Sequence, residues 1–176
     1  MTYHENLSGL LLEELKKGND VVFKVSSNSM RPLIITGDHL TVRRYTLHKL
    51  KRGDVILVVR ESDYLTHRFI EQNDGVIVLK GDRLINFDPP IKIDCVLGKV
   101  ISITRGKRQI SLTSFYATII NRIQGLLGFA QGNIYRNLEI SINENDHIIF
   151  FLWSNAMKAL AKSIYIPIVI LDFITL

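Results

Sequence analysis

Three short polar segments carry the side chains that could perform chemistry in this chain. The first holds Ser27 and Ser29 in a turn after an apolar run, the second holds His67, and the third holds Asp82 and Asp88. A serine hydroxyl is a weak nucleophile unless a base lies within hydrogen-bond reach, and neutral histidine suits that task near pH 7. A carboxylate commonly holds the second ring nitrogen of such a histidine. The three segments therefore supply the side-chain types of a Ser/His/Asp hydrolytic site.

A hydrolytic site also needs hydrogen-bond donors for the oxyanion of the tetrahedral intermediate. The backbone N–H of Ser29 and the hydroxyl of Ser27 are the nearest candidates in the sequence. Residue types alone leave ordinary interpretations open, because nearly every chain of this length contains serine, histidine and aspartate. The serines and aspartates could be turn residues, and His67 could be a hydrogen-bonded side chain on a half-buried strand.

The elements that must position these residues are mostly short strands. Apolar and β-branched runs alternate with turn signals such as Gly37-Asp38 and Asp88-Pro89-Pro90 over residues 21–103, which predicts a sandwich or a partly closed barrel. The predicted strands are Val21–Val25, His39–Val42, Asp54–Val59, Leu65–Ile70, Gly75–Leu79 and Val96–Ile103.

Helical patterns flank this β-rich region on both sides. Leucines recur at helical spacing before Gly18, and an apolar stripe with steps of three and four runs from Leu112 to Leu127. We therefore expect a mainly β (α+β) fold in three parts. These are an N-terminal amphipathic helix (residues 1–20), a β-rich catalytic domain (21–111) and an apolar helical C-terminal extension (112–176).

Composition excludes several classes of protein. The 176 residues are 22% charged and 47% hydrophobic with a net charge of +5, which is typical of a folded domain rather than a disordered or collagen-like chain. Because Cys95 is the only cysteine, the chain cannot form an internal disulfide or a Cys₄ or Cys₂His₂ zinc site. No basic stripe interleaved with aromatic residues is present, so we expect no nucleic-acid partner, and no cofactor or metal is predicted.

Four segments, in chain order, resemble the four sequence boxes of the signal peptidase I family. They are Ser27–Asp38 (SNSMRP followed by GD), Leu50–Ile56 (LKRGDVI), Thr66–Ile70 (THRFI) and Lys80–Val100 (KGD, then Asp88, then VLGKV). Most bacterial members have a Lys-Arg pair in the third box, whereas this chain has His67-Arg68. The resemblance is therefore to the Ser/His branch, which comprises endoplasmic-reticulum, archaeal and sporulation-type members, and it implies that family's folded, partly closed β-sheet.

The resemblance also implies a role for each candidate residue. Ser29 would be the nucleophile and His67 the general base. Asp88 would orient the base, and Asp82 of the Lys-Gly-Asp motif would support the site. The Ser27 hydroxyl would join the Ser29 N–H as an oxyanion donor. The implied function is a serine endopeptidase that removes a signal or leader segment from a protein or peptide, with small side chains preferred before the scissile bond.

Two departures from the family pattern lead to further expectations. Asn28 occupies the place of a glycine, so an unusual φ angle is expected there. The pattern also lacks the family's N-terminal membrane anchor, and no signal peptide is predicted, so we expect a cytoplasmic or peripheral membrane location. The C-terminal apolar runs, 148–153 and 164–171, are expected either to pack on the domain or on a partner, or to contact a membrane surface.

Two alternatives to leader processing stay open. The first is a self-cleaving, repressor-like peptidase domain, although no helix-turn-helix of adequate length precedes residue 21. The second is a non-enzymatic module that binds a membrane or a protein partner through the apolar extension.

Overall fold

The computed structural model describes residues 10, 12–45, 49–60 and 63–140, together with the single positions 155, 156, 159 and 163. Residues 10 and 12–16 are helical, whereas the rest of the predicted N-terminal helix before residue 12 lies outside the described residues. The C-terminal apolar runs, 148–153 and 164–171, lie outside them as well.

The described residues contain eight strands: β1 (Val21–Lys24), β2 (His39–Arg43), β3 (Val55–Arg60), β4 (Asp63–Asn73), β5 (Val76–Lys80), β6 (Ile91–Lys92), β7 (Val96–Arg105) and β8 (Arg108–Ser111). They form one antiparallel sheet in the order β1-β2-β7-β3-β4-β5-β6, and β8 pairs with β7. A short 3₁₀ helix (Ile93–Cys95) precedes β7, and helix α1 (Phe115–Ile140) follows β8. The sheet is not closed into a barrel, and the mainly β, α+β class predicted from the sequence is confirmed.

The core lies on both sides of β3. Val55 and Leu57 belong to a first cluster of buried apolar residues, whereas Ile56 and Val58 belong to a second. Successive side chains of a strand leave on opposite faces, so both faces of β3 are buried. This explains why the run from Asp54 to Val59 contains no alternation of apolar and polar residues.

Strand β4 pairs with different partners along its length. Its first half, from Asp63 to His67, pairs only with β3, because pairing with β5 begins at Arg68. The other edge of this first half is therefore unpaired within the described residues. His67 is the last residue of this unpaired edge, since the next residue, Arg68, pairs with β5.

Helix α1 begins at a cap and packs on the loop before β3. The backbone N–H of Ala117 donates to the Ser114 hydroxyl at 3.3 Å, which satisfies a donor in the first turn. Gly125 lies against Gly53, where a β-carbon would be 2.5 Å from the Gly53 nitrogen. The close contact brings the two backbones together, so α1 sits directly over this part of the sheet.

Most large side chains in the predicted apolar stripe of α1 are exposed, although Ile120 packs against the first core cluster and Leu112, before the helix, is buried. Large side chains on this face are exposed, namely Phe115, Tyr116, Ile119, Ile123, Leu126 and Ile134. The opposite side, with Asn121, Gln124 and Gln131, is buried. The sequence pattern predicted the helix and left open whether its apolar face packs on the domain, on a partner or on a membrane surface. The side that packs instead carries small and polar residues. It lies against the backbone of Gly53 and the buried guanidinium of Arg68, which glycine and asparagine can contact closely.

Among the residues that the structure describes, no helix combines the length and the hydropathy that crossing a bilayer requires.

Candidate active site

The turn that carries Ser29 is fixed by a buried carboxylate. Asp38 accepts a hydrogen bond from the Ile35 N–H at 2.9 Å and is 1% exposed. Arg105 donates to both carboxylate oxygens of Asp38, at 2.8 and 2.7 Å. These hydrogen bonds raise the pKa of Arg105. Strand β7 thereby anchors the far end of the turn, which leaves Ser29 half-buried at its near end.

Asn28 does not have the unusual φ angle expected from its place in the sequence box. Among the described residues other than glycine, only Asp74 has a positive φ. Asn28 instead accepts a hydrogen bond at its side-chain oxygen from the Thr36 N–H, at 3.1 Å. Its side chain therefore ties the two ends of the turn together, which a glycine could not do.

The structure brings Ser29, His67 and Asp88 into one hydrogen-bonded chain. The His67 Nε2 lies 2.9 Å from the Ser29 Oγ, and the His67 Nδ1 lies 2.5 Å from the Asp88 Oδ2. An ionised carboxylate can only accept, so Nδ1–H donates to Asp88 and Nε2 is left to accept from the Ser29 hydroxyl. This is the arrangement in which an imidazole can remove the serine proton.

The imidazole and its carboxylate are shielded from water. The His67 side chain is 3% exposed and the Asp88 side chain is 9% exposed. A low local dielectric strengthens the attraction between a carboxylate and an imidazolium that forms beside it. The pair can therefore stabilise positive charge on His67 when that ring takes up a proton.

Asp82 contacts a different residue from the one that Asp88 contacts. Its two carboxylate oxygens accept from Nε and Nη2 of Arg68, each at 2.7 Å. Arg68 follows His67 in β4, so their side chains leave on opposite faces of the strand. One loop, residues 81–88, thus supplies an aspartate to each of the two neighbouring residues.

Two backbone hydrogen bonds fix this loop, which we call the support loop (residues 81–88). The Arg83 N–H donates to the Ser29 carbonyl at 2.8 Å, and the Asp88 N–H donates to the Leu79 carbonyl at 2.9 Å. The first bond links the support loop to Ser29, and the second fixes Asp88, the residue that meets the imidazole. The loop therefore couples the positions of the serine and the carboxylate.

A buried lysine and a glycine hold the start of the support loop. Lys80 is 2% exposed, and its Nζ donates to the Leu84 carbonyl at 2.7 Å. At Gly81, a β-carbon would lie 3.0 Å from the Nε2 of His67. That nitrogen faces Ser29, so a side chain at this position would crowd the hydrogen bond between His67 and Ser29. In the Lys-Gly-Asp motif, Lys80 thus binds the Leu84 carbonyl, Gly81 leaves room beside His67, and Asp82 binds Arg68.

Ser27 lies beside Ser29. Its Oγ is 3.3 Å from the Ser29 Oγ. No described residue accepts a hydrogen bond from the Ser29 backbone N–H. Both groups proposed from the sequence as oxyanion donors are therefore close to the oxygen that would attack a carbonyl.

A cleft of about 600 Å³ runs past the Ser29 hydroxyl. Met30, Ile34, Leu40 and Leu57, all buried, contribute to its apolar floor. The sides of the cleft are formed by the end of β1 and the residues that follow it (23–27), and by residues 63–66 of β4. Within the described residues both strands have an unpaired edge here, so backbone N–H and C=O groups are available to an extended peptide.

Sequence reasoning gave no individual role to three residues that support the site. Lys80 and Arg68 were inside recognised boxes, so the motif order was a signal for their importance but not for their contacts. Asn121 of α1 accepts from Arg68 Nη1 at 3.0 Å and lies in no box. A lone asparagine in a helical pattern carries no signal that a sequence could reveal.

Comparison with known proteins agrees with this geometry in part. Residues 3–86 match the family model described as Peptidase S24-like. The matched segment contains Ser29, His67 and Asp82, and it ends two residues before Asp88. The similarity supports a serine peptidase-like relationship at the level of the family, whereas the signal peptidase I branch stays a prediction. No curated protein matches the chain.

Proposed function

We propose that this protein is a serine endopeptidase with Ser29 as its nucleophile. The observation that carries the proposal is the position of His67, whose two ring nitrogens lie within hydrogen-bond reach of Ser29 and of Asp88. Each of the three residues then has a distinct task, and the family similarity agrees with the reaction class.

In the proposed reaction, the Ser29 Oγ attacks the carbonyl carbon of a peptide bond while His67 Nε2 takes the hydroxyl proton. Asp88 stabilises the imidazolium. The Ser29 N–H and the Ser27 hydroxyl donate to the oxyanion. His67 then protonates the leaving amine, which breaks the C–N bond and leaves an acyl-enzyme. A water molecule, deprotonated by His67, releases the acyl group and restores the serine.

The proposed substrate is an extended segment of a peptide or protein, such as a leader or signal segment. The unpaired edges of β1 and β4 support this choice because they offer main-chain hydrogen bonds to a strand entering the cleft. The resemblance of the four sequence boxes supports small side chains before the scissile bond. Lys24, Arg60 and Asp63 lie along the cleft and add charged contacts beyond the apolar floor.

The test uses two probes, a fluorophosphonate that labels activated serines and a mixture of unstructured peptides analysed by mass spectrometry. Wild type should be labelled and should cleave peptides. Ser29→Ala should lose labelling, and cleavage should fall by at least about 10³-fold, since nucleophile and base act as a unit. Ser111→Ala, which changes an exposed serine on β8, serves as the control. Equal cleavage by wild type and Ser29→Ala would overturn the proposal.

Self-cleavage is a second candidate, favoured by the Peptidase S24-like match. It uses the same three residues on a segment of the same chain. Intact mass after long incubation separates the two candidates. Ser29-dependent fragments that form at a rate independent of protein concentration, without cleavage of added peptides, would favour self-cleavage. The third possibility from the sequence, a module that binds a membrane or partner without catalysis, would leave Ser29 unlabelled.

A further inference from the structure

We propose that helix α1 is a positioning element for catalysis: it holds the support loop so that Asp88 stays on His67. This inference rests on the proposed function. Helix α1 lies entirely beyond the segment that matches the peptidase family, which ends at residue 86. It is nevertheless linked to both ends of the support loop, indirectly through Arg68 of β4 at the start of the loop and directly at Phe87 near its end.

The first contact runs through a buried guanidinium. Arg68 is 1% exposed and donates two hydrogen bonds to the Asp82 carboxylate. Its Nη1 also donates to the Gly53 carbonyl at 2.5 Å and to the Asn121 side-chain oxygen at 3.0 Å. Asn121 is itself 6% exposed. A buried donor that loses its acceptor is costly, so Asn121 fixes the orientation of the fork that holds Asp82.

The second contact is steric. At Gly132 of α1, a β-carbon would lie 2.3 Å from two ring carbons of Phe87. The helix backbone and the aromatic ring are thus in direct contact, and a side chain at position 132 would require the Phe87 ring to move. Phe87 precedes Asp88 in the chain, so our proposal is that displacement of the ring shifts the backbone that carries the carboxylate.

The support loop transmits these contacts to both reacting groups. Its Arg83 N–H is bonded to the Ser29 carbonyl, and its last residue meets His67 Nδ1. On the side of the sheet, Lys80 holds the Leu84 carbonyl. The loop is thus held between the sheet and α1. Misplacement of a catalytic group by about 1 Å can cost on the order of 100-fold in rate.

The decisive comparison is between two glycine-to-alanine changes on the same helix. Gly132→Ala should push Phe87 aside and lower kcat by about 10- to 100-fold with KM changed less than about threefold. Gly128→Ala is the matched control because its β-carbon would meet only Ile70 and Lys80 side-chain atoms, at 3.5 and 3.7 Å. The control should keep the wild-type kcat and the wild-type rate of fluorophosphonate labelling.

A double variant tests whether the effect passes through the ring. Phe87→Leu removes part of the obstacle, so Gly132→Ala in that background should cost less than about threefold in kcat. Such non-additivity is the signature of residues in contact. A loss of equal size in both backgrounds would show that Gly132 does not act through Phe87, and the inference would be wrong.

Hydrogen exchange separates this inference from the proposed function because it needs no activity. In Gly132→Ala, the amides of Arg83 and Asp88 should exchange at least about tenfold faster than in Gly128→Ala, since both depend on the loop conformation. Unchanged exchange would overturn the inference even in an active peptidase. If Ser29→Ala cleaves as wild type does, the proposed function fails while faster exchange still supports the role of α1.

Asn121→Ala gives the same readouts without adding volume, and it replaces Gly132→Ala if that variant does not fold. It should lower kcat about tenfold and speed exchange of the support-loop amides. Asn137→Ala is its control, because Asn137 is an exposed asparagine on the same helix. Equal kcat and exchange in the two asparagine variants would contradict the role given to Asn121.

Discussion

At the scale of single residues, two arginines each donate two hydrogen bonds to an aspartate, one pair in a buried and the other in an exposed place. Arg68 binds both oxygens of Asp82 at 2.7 Å and is 1% exposed, whereas Arg43 binds both oxygens of Asp20 at 2.8 and 2.7 Å and is 58% exposed. The hydrogen bonds from Arg43 lower the pKa of Asp20. Water competes for the exposed pair and cannot reach the buried one.

Replacing each arginine by lysine should therefore give different outcomes. Arg68→Lys keeps the charge but loses the planar fork, so it should lower the free energy of unfolding by about 3 kcal/mol. Arg43→Lys should leave the free energy of unfolding unchanged within error. Urea denaturation followed by circular dichroism measures both. A similar loss in the two variants would mean that burial of the fork contributes nothing.

The types of the site residues could be predicted from the sequence, but their contacts could not. Serine, histidine and aspartate in ordered boxes indicated Ser29, His67 and Asp88, and their catalytic roles stay predictions. Nothing in the spacing indicated that Asp82 would turn to Arg68 instead of the imidazole. That difference follows from strand alternation and from where the support loop crosses the edge of β4, which only the three-dimensional structure reveals.

At the scale of elements, α1 is fixed by a contact between two backbones. A β-carbon on Gly53 would lie 2.0 Å from the Asn121 carbonyl oxygen, and Gly53 has a φ of +98°. The helix and the loop before β3 can approach this closely only because no side chain lies between them. The Arg122 side chain reinforces the contact by donating to the Asp54 carboxylate at 3.0 Å.

A pair of glycine substitutions separates this contact from backbone strain. Gly37 has a similar φ, +94°, but a β-carbon at this position would meet no atom within 4 Å. Gly37→Ala should cost about 1–2 kcal/mol from strain alone. Gly53→Ala should cost more than about 4 kcal/mol, because the helix must also move. Thermal unfolding measures the difference, and equal melting temperatures would refute the close contact as a source of stability.

The elements were predictable where local pattern and burial agree. Strand β3 was evident from its run of β-branched residues, and most other strands were found within a few residues. Strand β6 has two residues, and β8 carries a single buried residue, Ile110, so neither has a detectable period. The orientation of α1 was not predictable, because the polar surface that it covers is assembled from distant parts of the chain.

At the scale of the whole molecule, the two core clusters share β3. The first cluster contains Val55 and Leu57, and the second contains Ile56 and Val58. Loss of either cluster exposes one face of the same central strand. The described sheet should therefore unfold as one cooperative unit rather than in two steps.

Matched substitutions in the two clusters test this cooperativity. Ile103 lies in the first cluster and Ile77 in the second, and each is 0% exposed. Each change to alanine should lower the free energy of unfolding by about 2–5 kcal/mol and shift a single transition. Circular dichroism and hydrogen exchange should report the same midpoint in both variants. Two resolved transitions, each sensitive to one substitution, would contradict a shared core.

Helix α1 lies beyond residue 86 but contacts Gly53 and Arg68, which precede it, and this has a practical consequence for protein engineering. A chain trimmed to the segment that resembles Peptidase S24-like proteins would retain the alcohol and the imidazole but discard Asp88, the strand β7 that anchors the serine turn, and every helical contact on Arg68. The smallest fragment expected to keep the proposed peptidase activity should extend at least to Gly132.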